Sequence, residues 1–308
     1  MVLPRLFAAC ATVCCLAAPA AAWNGTGHRI VGAIAYQKLT PKVRTRVDDL
    51  IRKHPDYAAV FAKDAPADPA ARARAAFLAA ANWPDMIRAG DPRFYDETRS
   101  DALPTPPLPG FPDMARHARW HFIDIPFAPD GAAGKPPLKP NALTELQRIL
   151  REIASPPSEQ QIVYDLPWLE HLVGDVHQPL HCTSRFLHSQ PKGDAGGNFV
   201  FVIPGRTLHS VWDDAPGTDS GDEYVTQYAA KATAAHPARH IAKNPRKWVD
   251  ESFKLDQTDV YTFGPETGSR EHPITLPNGY VENANNISEH RIAAAGYRLA
   301  AVLNDLLR

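Results

Sequence analysis

Two histidine–aspartate pairs are the residues of this sequence best suited to bind a metal ion. His171 and Asp175 are four residues apart, and so are His209 and Asp213. On a helix, residues i and i+4 project from the same face one turn apart, so each pair can offer a nitrogen and an oxygen to one ion. We therefore expect two neighbouring ligand pairs instead of one isolated site.

Three further histidines extend this candidate ligand set. His181 follows the first pair, and Pro179 ends the preceding helix so that His181 can turn toward a neighbouring position. His121 lies in an apolar run, and His28 is near the predicted mature amino terminus. Imidazole and carboxylate ligands without thiolate suit catalytic zinc better than structural zinc. His177, between the candidate ligands, is interpreted as a residue that supports a ligand or as a packing residue. The other histidines are interpreted as packing or surface residues.

The first 22 residues have the pattern of a secretory signal. An arginine near the start is followed by the apolar stretch 6–16 and by small residues that end in an A-x-A pattern at Ala22. Cleavage there would expose Trp23, whose free amino group could bind a metal, and would make the protein secreted or periplasmic. The alternatives are an uncleaved anchor, for which the stretch is too short, and a lipoprotein processed at Cys10, which would leave Trp23 inside the chain.

Composition restricts the class of protein. The 308 residues carry a formal charge of −1, which is not the basic balance of a protein that binds nucleic acid through surface lysine and arginine alone. Of the four cysteines only Cys182 remains after the predicted cleavage, so no internal disulfide can form in the mature chain. Bound metal is then one of the few remaining ways to stabilise an exported chain. We expect a monomer without a membrane anchor.

Hydrophobic periodicity predicts a mainly α, single multi-helix domain over 23–308 with a small β-hairpin near 198–212. The hairpin would pair strands at 198–203 and 207–212. Proline-rich stretches lie between helical segments and are interpreted as surface loops. The predicted helices are 28–39, 41–54, 68–81, 141–153, 158–176, 223–235, 245–255 and 287–307.

Six sequence fragments together resemble the type I zinc-dependent single-strand nuclease family, which is related to zinc-dependent phospholipase C. They occur in the family's order and extend over nearly the whole chain after residue 22. The fragments are Trp23-x-x-x-x-His28, Trp83-Pro-Asp85-x-x-Arg88, His121-Phe-Ile-Asp124, His171-x-x-x-Asp175-x-His-Gln-Pro-Leu-His181, Gly196-Gly-Asn198 and Leu208-His209-x-x-Trp-Asp213.

The resemblance implies a mainly α-helical fold with three Zn2+ per chain, and its ligands can be carried over residue by residue. The first zinc would bind Asp85, His121, His171 and Asp175. The second would bind His181, His209 and Asp213. The third would bind His28 with the amino nitrogen and carbonyl oxygen of Trp23, and Asp175 would bridge it to the first.

The resemblance also implies an activity: an endonuclease that hydrolyses single-stranded RNA and DNA to 5′-mononucleotides and acts as a 3′-nucleotidase. Asp85, Arg88 and Asp175 would be the catalytic residues, with Arg88 neutralising charge on the phosphoryl oxygens. Phe122 would stack on a base and Asp124 would hydrogen-bond its edge. Gly197 and Asn198 would shape the same pocket.

Two departures and two alternatives accompany this interpretation. Thr207 stands where the family often has asparagine, and Cys182 is solitary where some members have disulfides. A zinc-dependent phospholipase C would use the same ligands on a different phosphodiester. A non-enzymatic zinc-binding envelope protein would need the ligands but neither Arg88 nor a base pocket.

Overall fold

Helices dominate the computed structural model, which describes residues 23–238 and 241–308. The predicted signal sequence 1–22 lies outside the described residues. None of the helices in the described ranges is long and apolar enough to cross a membrane. The helices are α1 (Gly25–Lys38), α2 (Pro41–Arg52), α3 (Pro69–Ala80), α4 (Trp83–Arg88), α5 (Ala142–Ala154), α6 (Glu159–Asp175), α7 (Leu208–Asp213), α8 (Asp222–Ala235), α9 (Pro245–Leu255) and α10 (Tyr280–Leu306).

The mainly α fold predicted from the sequence is confirmed, and side-chain caps explain several helix starts. Asp68 and Ser158 each accept a hydrogen bond from a backbone N–H of the first turn of α3 and α6. Asn141 and Thr144 form a reciprocal capping box at the start of α5. Such caps satisfy amide groups that have no partner within the helix. Because these residue types are visible in the sequence, the predicted starts of these helices lie within one residue of the observed ones.

Two small sheets accompany the helices. Strand β1 (Ile125–Phe127) pairs in parallel with β2 (Thr183–Arg185), which was not predicted. Strands β3 (Phe201–Val202) and β4 (Arg206–Thr207) form the predicted hairpin in a shorter form. The prediction of a strand over 207–212 was wrong, because helix α7 begins at Leu208. The Thr207 hydroxyl accepts the Ser210 N–H at 3.1 Å, and this cap turns the chain from strand to helix.

Two hydrophobic clusters lie beneath these elements. The larger, called here the helical core, includes Ile34, Phe77, Leu169 and Leu299, all fully buried. It joins α1, α3, α6 and α10. The smaller, called here the hairpin core, packs strand β3 and helix α7 against a later part of the chain. Its buried members are Leu180, Val200, Val202, Leu208, Trp212, Val260, Tyr261, Tyr280 and Ala284.

Candidate metal centre

Helix α6 presents His171 and Asp175 from its last turn into the interior, where both are fully buried. His171 Nδ1 is 2.8 Å from the carbonyl oxygen of Ala81. A carbonyl can only accept, so Nδ1 carries the proton and Nε2 presents a lone pair. That lone pair faces Asp175 Oδ2 at 3.3 Å. The two side chains therefore face each other as expected for residues one helical turn apart, and a carbonyl fixes the imidazole tautomer, as is usual for metal-bound histidine. Their role as metal ligands stays a prediction.

Two residues from other parts of the chain complete a first ligand group around His171. His121 Nδ1 lies 2.9 Å from His171 Nε2. It also lies 3.5 Å from both Asp85 Oδ1 and Asp175 Oδ2. Asp85 comes from helix α4, which the periodicity did not predict, and His121 precedes strand β1. Nitrogen and oxygen atoms thus converge from three chain segments, as a tetrahedral zinc site requires.

His28 on helix α1 faces the other oxygen of the same aspartate. Its Nε2 lies 3.4 Å from Asp175 Oδ1, and its ring stacks on His171 with 3.9 Å between centroids. Asp175 therefore faces His28 with one oxygen and His121 and His171 with the other, which is the geometry of a bridging carboxylate. Trp23 is fully buried just before the cap of α1 and five residues before His28. The role of its amino group requires the cleavage after Ala22, which stays a prediction.

The second ligand group consists of His181, His209 and Asp213. Nδ1 of His181 and Nδ1 of His209 each lie 2.6 Å from a backbone carbonyl oxygen, so both carry the proton there. The two Nε2 lone pairs consequently face each other at 3.1 Å. Asp213 Oδ2 lies 3.5 Å from His209 Nε2. Two facing lone pairs beside a carboxylate repel one another unless a cation lies between them.

The electrostatics of both groups point to the same requirement. Burial raises the pKa of Asp175 and of Asp213 well above the usual carboxyl range. Burial also lowers the pKa of His28, His121 and His181 well below the usual imidazole range. Each shift disfavours charge where no counter-charge is present. A divalent cation supplies that counter-charge and keeps the carboxylates ionised and the imidazoles neutral.

Unsatisfied atoms provide an independent test of whether these residues fit a metal. Among the described residues, no hydrogen-bond partner is found for Asp85 Oδ1, for either oxygen of Asp175 or for either nitrogen of His28. Orphaned buried polar atoms are rare in proteins because each costs about 1–3 kcal/mol. At this centre the unpartnered atoms belong to imidazoles and carboxylates that face one another, which fits a centre that binds zinc. Three overlapping sets are close enough to hold ions: His28, His171 and Asp175; Asp85, His121 and His171; and His181, His209 and Asp213.

Arg88 lies one turn after Asp85 on α4 and faces the centre. Burial raises the pKa of Asp175, and the nearby positive charge of Arg88 opposes that rise. The Nε and Nη1 atoms of Arg88 are buried and have no hydrogen-bond partner among the described residues. A planar guanidinium with free donors beside a metal centre can bind a phosphoryl group in two-point fashion.

The predicted base-binding residues are linked to the ligands by chain adjacency or by a backbone hydrogen bond. Phe122 is half-buried directly after His121, and burial together with Asp194 raises the pKa of Asp124 to about 6. Gly197 and Asn198 lie in a loop that contacts the start of helix α7. The Gly197 carbonyl accepts the His209 N–H at 3.4 Å. Asn198 Nδ2 donates to the Ala195 carbonyl at 2.8 Å. Both pairs adjoin the centre, and their role in base binding stays a prediction.

Three positioning residues were missed by sequence reasoning. Gln178 donates to Asp213 Oδ1 at 2.7 Å. Gly174 lies so close to α1 that a Cβ there would be 2.6 Å from His28 Nδ1. Gly196 supplies the carbonyl that accepts from His209 Nδ1. Gly174 within a predicted helix, Gly196 in a Gly-Gly-Asn loop and Gln178 in the His-Gln-Pro-Leu-His181 fragment were the available signals. None of them indicated which side chain the residue would contact.

His177 is confirmed as a packing residue. It is fully buried, its Nδ1 donates to the Val173 carbonyl at 2.7 Å, and its Nε2 accepts from Arg298 at 2.8 Å. Thr207, where the family often has asparagine, caps helix α7. Cys182 is free and buried among the described residues.

Comparison with known proteins gives the same picture. The chain is 25% identical over 213 residues to Nuclease S1 of Aspergillus oryzae, covering 60% of this chain and 70% of that protein. It is 29% identical over 175 residues to Endonuclease 5 of Arabidopsis thaliana, covering 49% of this chain and 55% of that protein. Endonuclease 4 of the same plant is 31% identical over 159 residues, covering 45% of this chain and 49% of that protein.

The chain thus spans about half the length of the plant relatives it matches. The model of one protein family, S1/P1 nuclease, matches residues 23–308, which include every candidate ligand described above. The chain therefore belongs to the S1/P1 nuclease family.

Proposed function

We propose that this protein is a zinc-dependent nuclease that hydrolyses single-stranded RNA and DNA to 5′-mononucleotides and also removes 3′-phosphates. The observation that carries the proposal is Asp175, which faces His28 with one oxygen and the other members of the first ligand group with the second. Neither oxygen has a hydrogen-bond partner among the described residues. Metal ions that share a carboxylate are typical of phosphodiester hydrolysis. The relatives described above are named as nucleases or endonucleases.

Three zinc ions fit the ligand groups of this chain. Asp85, His121, His171 and Asp175 would hold the first, and His181, His209 and Asp213 the second. His28, Asp175 and the backbone of Trp23 would hold the third. The role of the Trp23 amino group requires that a signal sequence at 1–22 is removed. We therefore also propose a signal sequence at 1–22, a single domain over 23–308, and a secreted or periplasmic location.

Zinc ions held here would supply Lewis acidity toward the phosphate and would lower the pKa of water, so that a nucleophile could form near neutral pH. Around them, Arg88 places its unpartnered N–H groups where they can stabilise charge on the phosphoryl oxygens. Asp85, Asp175 and Asp213 would supply the carboxylate ligands that hold the ions. Positive potential would then be concentrated at the metal centre, so a chain of formal charge −1 could still bind a polyanion.

Base contacts would come from the residues beside the ligands. Phe122 is half-buried and so has an accessible part that can stack on an unpaired base, and Asp124, Gly197 and Asn198 would border it. Stacking on an aromatic face tolerates every base but requires the base to be unstacked. This arrangement favours single strands over duplex. Phospholipase C activity, the alternative that uses the same ligands, is tested by offering phosphatidylcholine in parallel.

The test uses protein that begins at Trp23. We expect release of 5′-mononucleotides from single-stranded DNA and RNA, loss of that release after chelation, and recovery when zinc is restored. Release of 3′-phosphate from 3′-nucleotides tests the second activity. Hydrolysis of phosphatidylcholine without any release from nucleic acid would transfer the assignment to the lipid, and zinc-loaded protein inert toward all of these substrates would indicate a binding protein.

Replacement of Arg88 tests the contribution of this side chain to catalysis separately from that of the metal ions. Arg88→Ala should lower kcat on single-stranded DNA by about 100- to 1000-fold, the usual effect of removing one donor to a transition-state oxyanion. Metal content measured by mass spectrometry should not change. Arg88→Lys keeps the charge but loses the planar fork and should recover only part of the rate. Unaltered turnover in Arg88→Ala would remove the residue from the mechanism.

A further inference from the structure

The outer face of the β3 hairpin carries exposed apolar side chains that the metal centre does not use. Along this segment burial alternates: Val200 and Val202 are fully buried in the hairpin core. Phe199 is 50% exposed and Ile203 is 53% exposed. Phe201 lies between them and is half-buried. The three outward residues Phe199, Phe201 and Ile203 are called here the hairpin face.

Backbone pairing explains why this face, and not an edge of the hairpin, is available. Strand β4 covers one edge of β3. On the other edge, Phe201 N–H donates to the Gly268 carbonyl at 3.0 Å and Ile274 N–H donates to the Phe201 carbonyl at 2.8 Å. Because both edges are hydrogen-bonded, the hairpin is a poor template for adding another strand. A ligand would therefore contact the outward side chains of the hairpin and not its backbone.

A positive charge is built into the same face. The Arg270 guanidinium lies over the Phe201 ring, 5.0 Å from its centroid. Arg270 is exposed, so its guanidinium is accessible to a ligand. An arginine held on an aromatic ring beside a second, more exposed aromatic ring combines phosphate attraction with base stacking.

The hairpin face continues directly from the metal centre. Gly196 accepts from His209 Nδ1 at 2.6 Å, and Phe199 follows Gly196 by three residues. Three residues of extended chain span at most about 11 Å, so the Phe199 and Gly196 Cα atoms are no farther apart than that. A nucleic-acid strand that passes from the metal centre along Asn198 could therefore contact Phe199.

We infer that the hairpin face is a second contact surface for single-stranded nucleic acid, where Phe199 stacks on an unpaired base outside the cleavage site and Arg270 binds the adjacent phosphate. The inference rests on the proposed nuclease function. Long single-stranded substrates would contact the hairpin face, whereas a dinucleotide would be too short to reach it. Since stacking tolerates every base, the surface would increase affinity for length without adding base preference.

The test compares a long single-stranded DNA with a dinucleotide. Phe199→Ala should raise KM for the long DNA about five- to tenfold, from loss of one stacked base, and should leave kcat/KM for the dinucleotide unchanged. Phe199→Trp should restore the long-substrate KM. Arg270→Ala should weaken long-substrate binding most at low salt. Ile241→Ala, which removes an apolar side chain of 40% exposure outside the hairpin face, is the matched control.

Three results would overturn the inference. They are an unchanged long-substrate KM in Phe199→Ala, an equal loss on both substrates, and a wild-type dimer by sedimentation that Phe199→Ala converts to a monomer. If the wild type cleaves neither substrate, the proposed function fails instead. Anisotropy of labelled phosphorothioate single-stranded DNA with metal-loaded protein then tests the surface by itself, and equal affinity of wild type and Phe199→Ala would also reject it.

Discussion

The two ligand groups lie close together but are built in different ways. The first is carried mainly by helices: Asp85 by α4, His171 and Asp175 by α6, and the neighbouring His28 by α1. The second is carried by a turn at His181 and by the six-residue helix α7, next to a glycine loop. Long helices fix their side chains through the packing of the helical core, whereas the second group depends on local hydrogen bonds and backbone conformation.

The groups also differ in how their polar atoms are satisfied. Carbonyls fix His181 and His209 in the second group and His171 in the first, but in the second group Gln178 also donates to the carboxylate of Asp213. In the first group, both oxygens of Asp175 have no hydrogen-bond partner among the described residues. Helical packing supplies position but no counter-charge. We therefore expect the helix-borne group to depend more strongly on bound metal than the turn-borne group.

Removal of the metal should have the largest effect. Chelation should abolish nuclease activity and lower the melting temperature by at least about 10 °C, because an ion that binds only the folded state stabilises it. Hydrogen exchange should increase more in the last turn of α6 than in α7. Calorimetry with and without chelator, followed by zinc replacement, measures the first effect. A melting curve indifferent to chelator would contradict this expectation.

Neutralising the shared aspartate should have the next largest effect. Asp175→Asn preserves shape but removes the charge that faces both His28 and the first group, so kcat/KM should fall at least about 1000-fold. Metal content should fall by more than one ion per chain. Asp213→Asn, which affects the second group alone, should lose about one. Equal losses in the two variants would show that Asp175 is not shared.

A methyl group at Gly196 should damage the turn-borne group selectively. Gly196 has φ +60°, and a Cβ there would lie 2.3 Å from the Leu180 carbonyl oxygen. Gly196→Ala should shift the carbonyl that orients His209 and weaken metal binding at the second site about 10- to 100-fold. Gly205→Ala has a similar positive φ of +77° with open space around it. The Gly205→Ala variant therefore has the backbone strain without the steric clash at Leu180. Equal zinc affinity in the two variants would argue against a role for Gly196.

A methyl group at Gly174 should have the smallest effect. The added Cβ would lie 2.6 Å from His28 Nδ1, so His28 should withdraw from Asp175 and activity should fall up to about tenfold. Gly32→Ala is the control, since its nearest neighbours would be 3.8 Å away in another helix. That change should stabilise the protein by about 0.5–1 kcal/mol. Full activity in Gly174→Ala would show that His28 tolerates displacement.

The contrast between the two groups also explains what the sequence could predict. Capped, periodic helices such as α3 and α6 were predicted within one residue at each end. Helix α10 begins seven residues earlier than predicted, because its first turns are polar and follow Gly279 at φ +77°. The 207–212 segment resembled a strand in composition, although the four-residue spacing of His209 and Asp213 already indicated a helix.

The site shows the same limit. The His171–Asp175 and His209–Asp213 pairs could be predicted from spacing, because their partners are one helical turn apart. Asp85 and Arg88 came only from the family resemblance, since nothing local links α4 to α6. The close approach of Gly174 to His28 is a tertiary contact between α6 and α1, and the sequence pattern contains no information about it.

The most direct test of a metal-dependent nuclease centre is one titration. Chelated protein beginning at Trp23 is reloaded with zinc while bound metal and release of 5′-nucleotides from single-stranded DNA are measured together. We expect activity to rise with occupancy and to level off near three zinc ions per chain. Cleavage by the metal-free protein, or full occupancy without cleavage, would contradict the account.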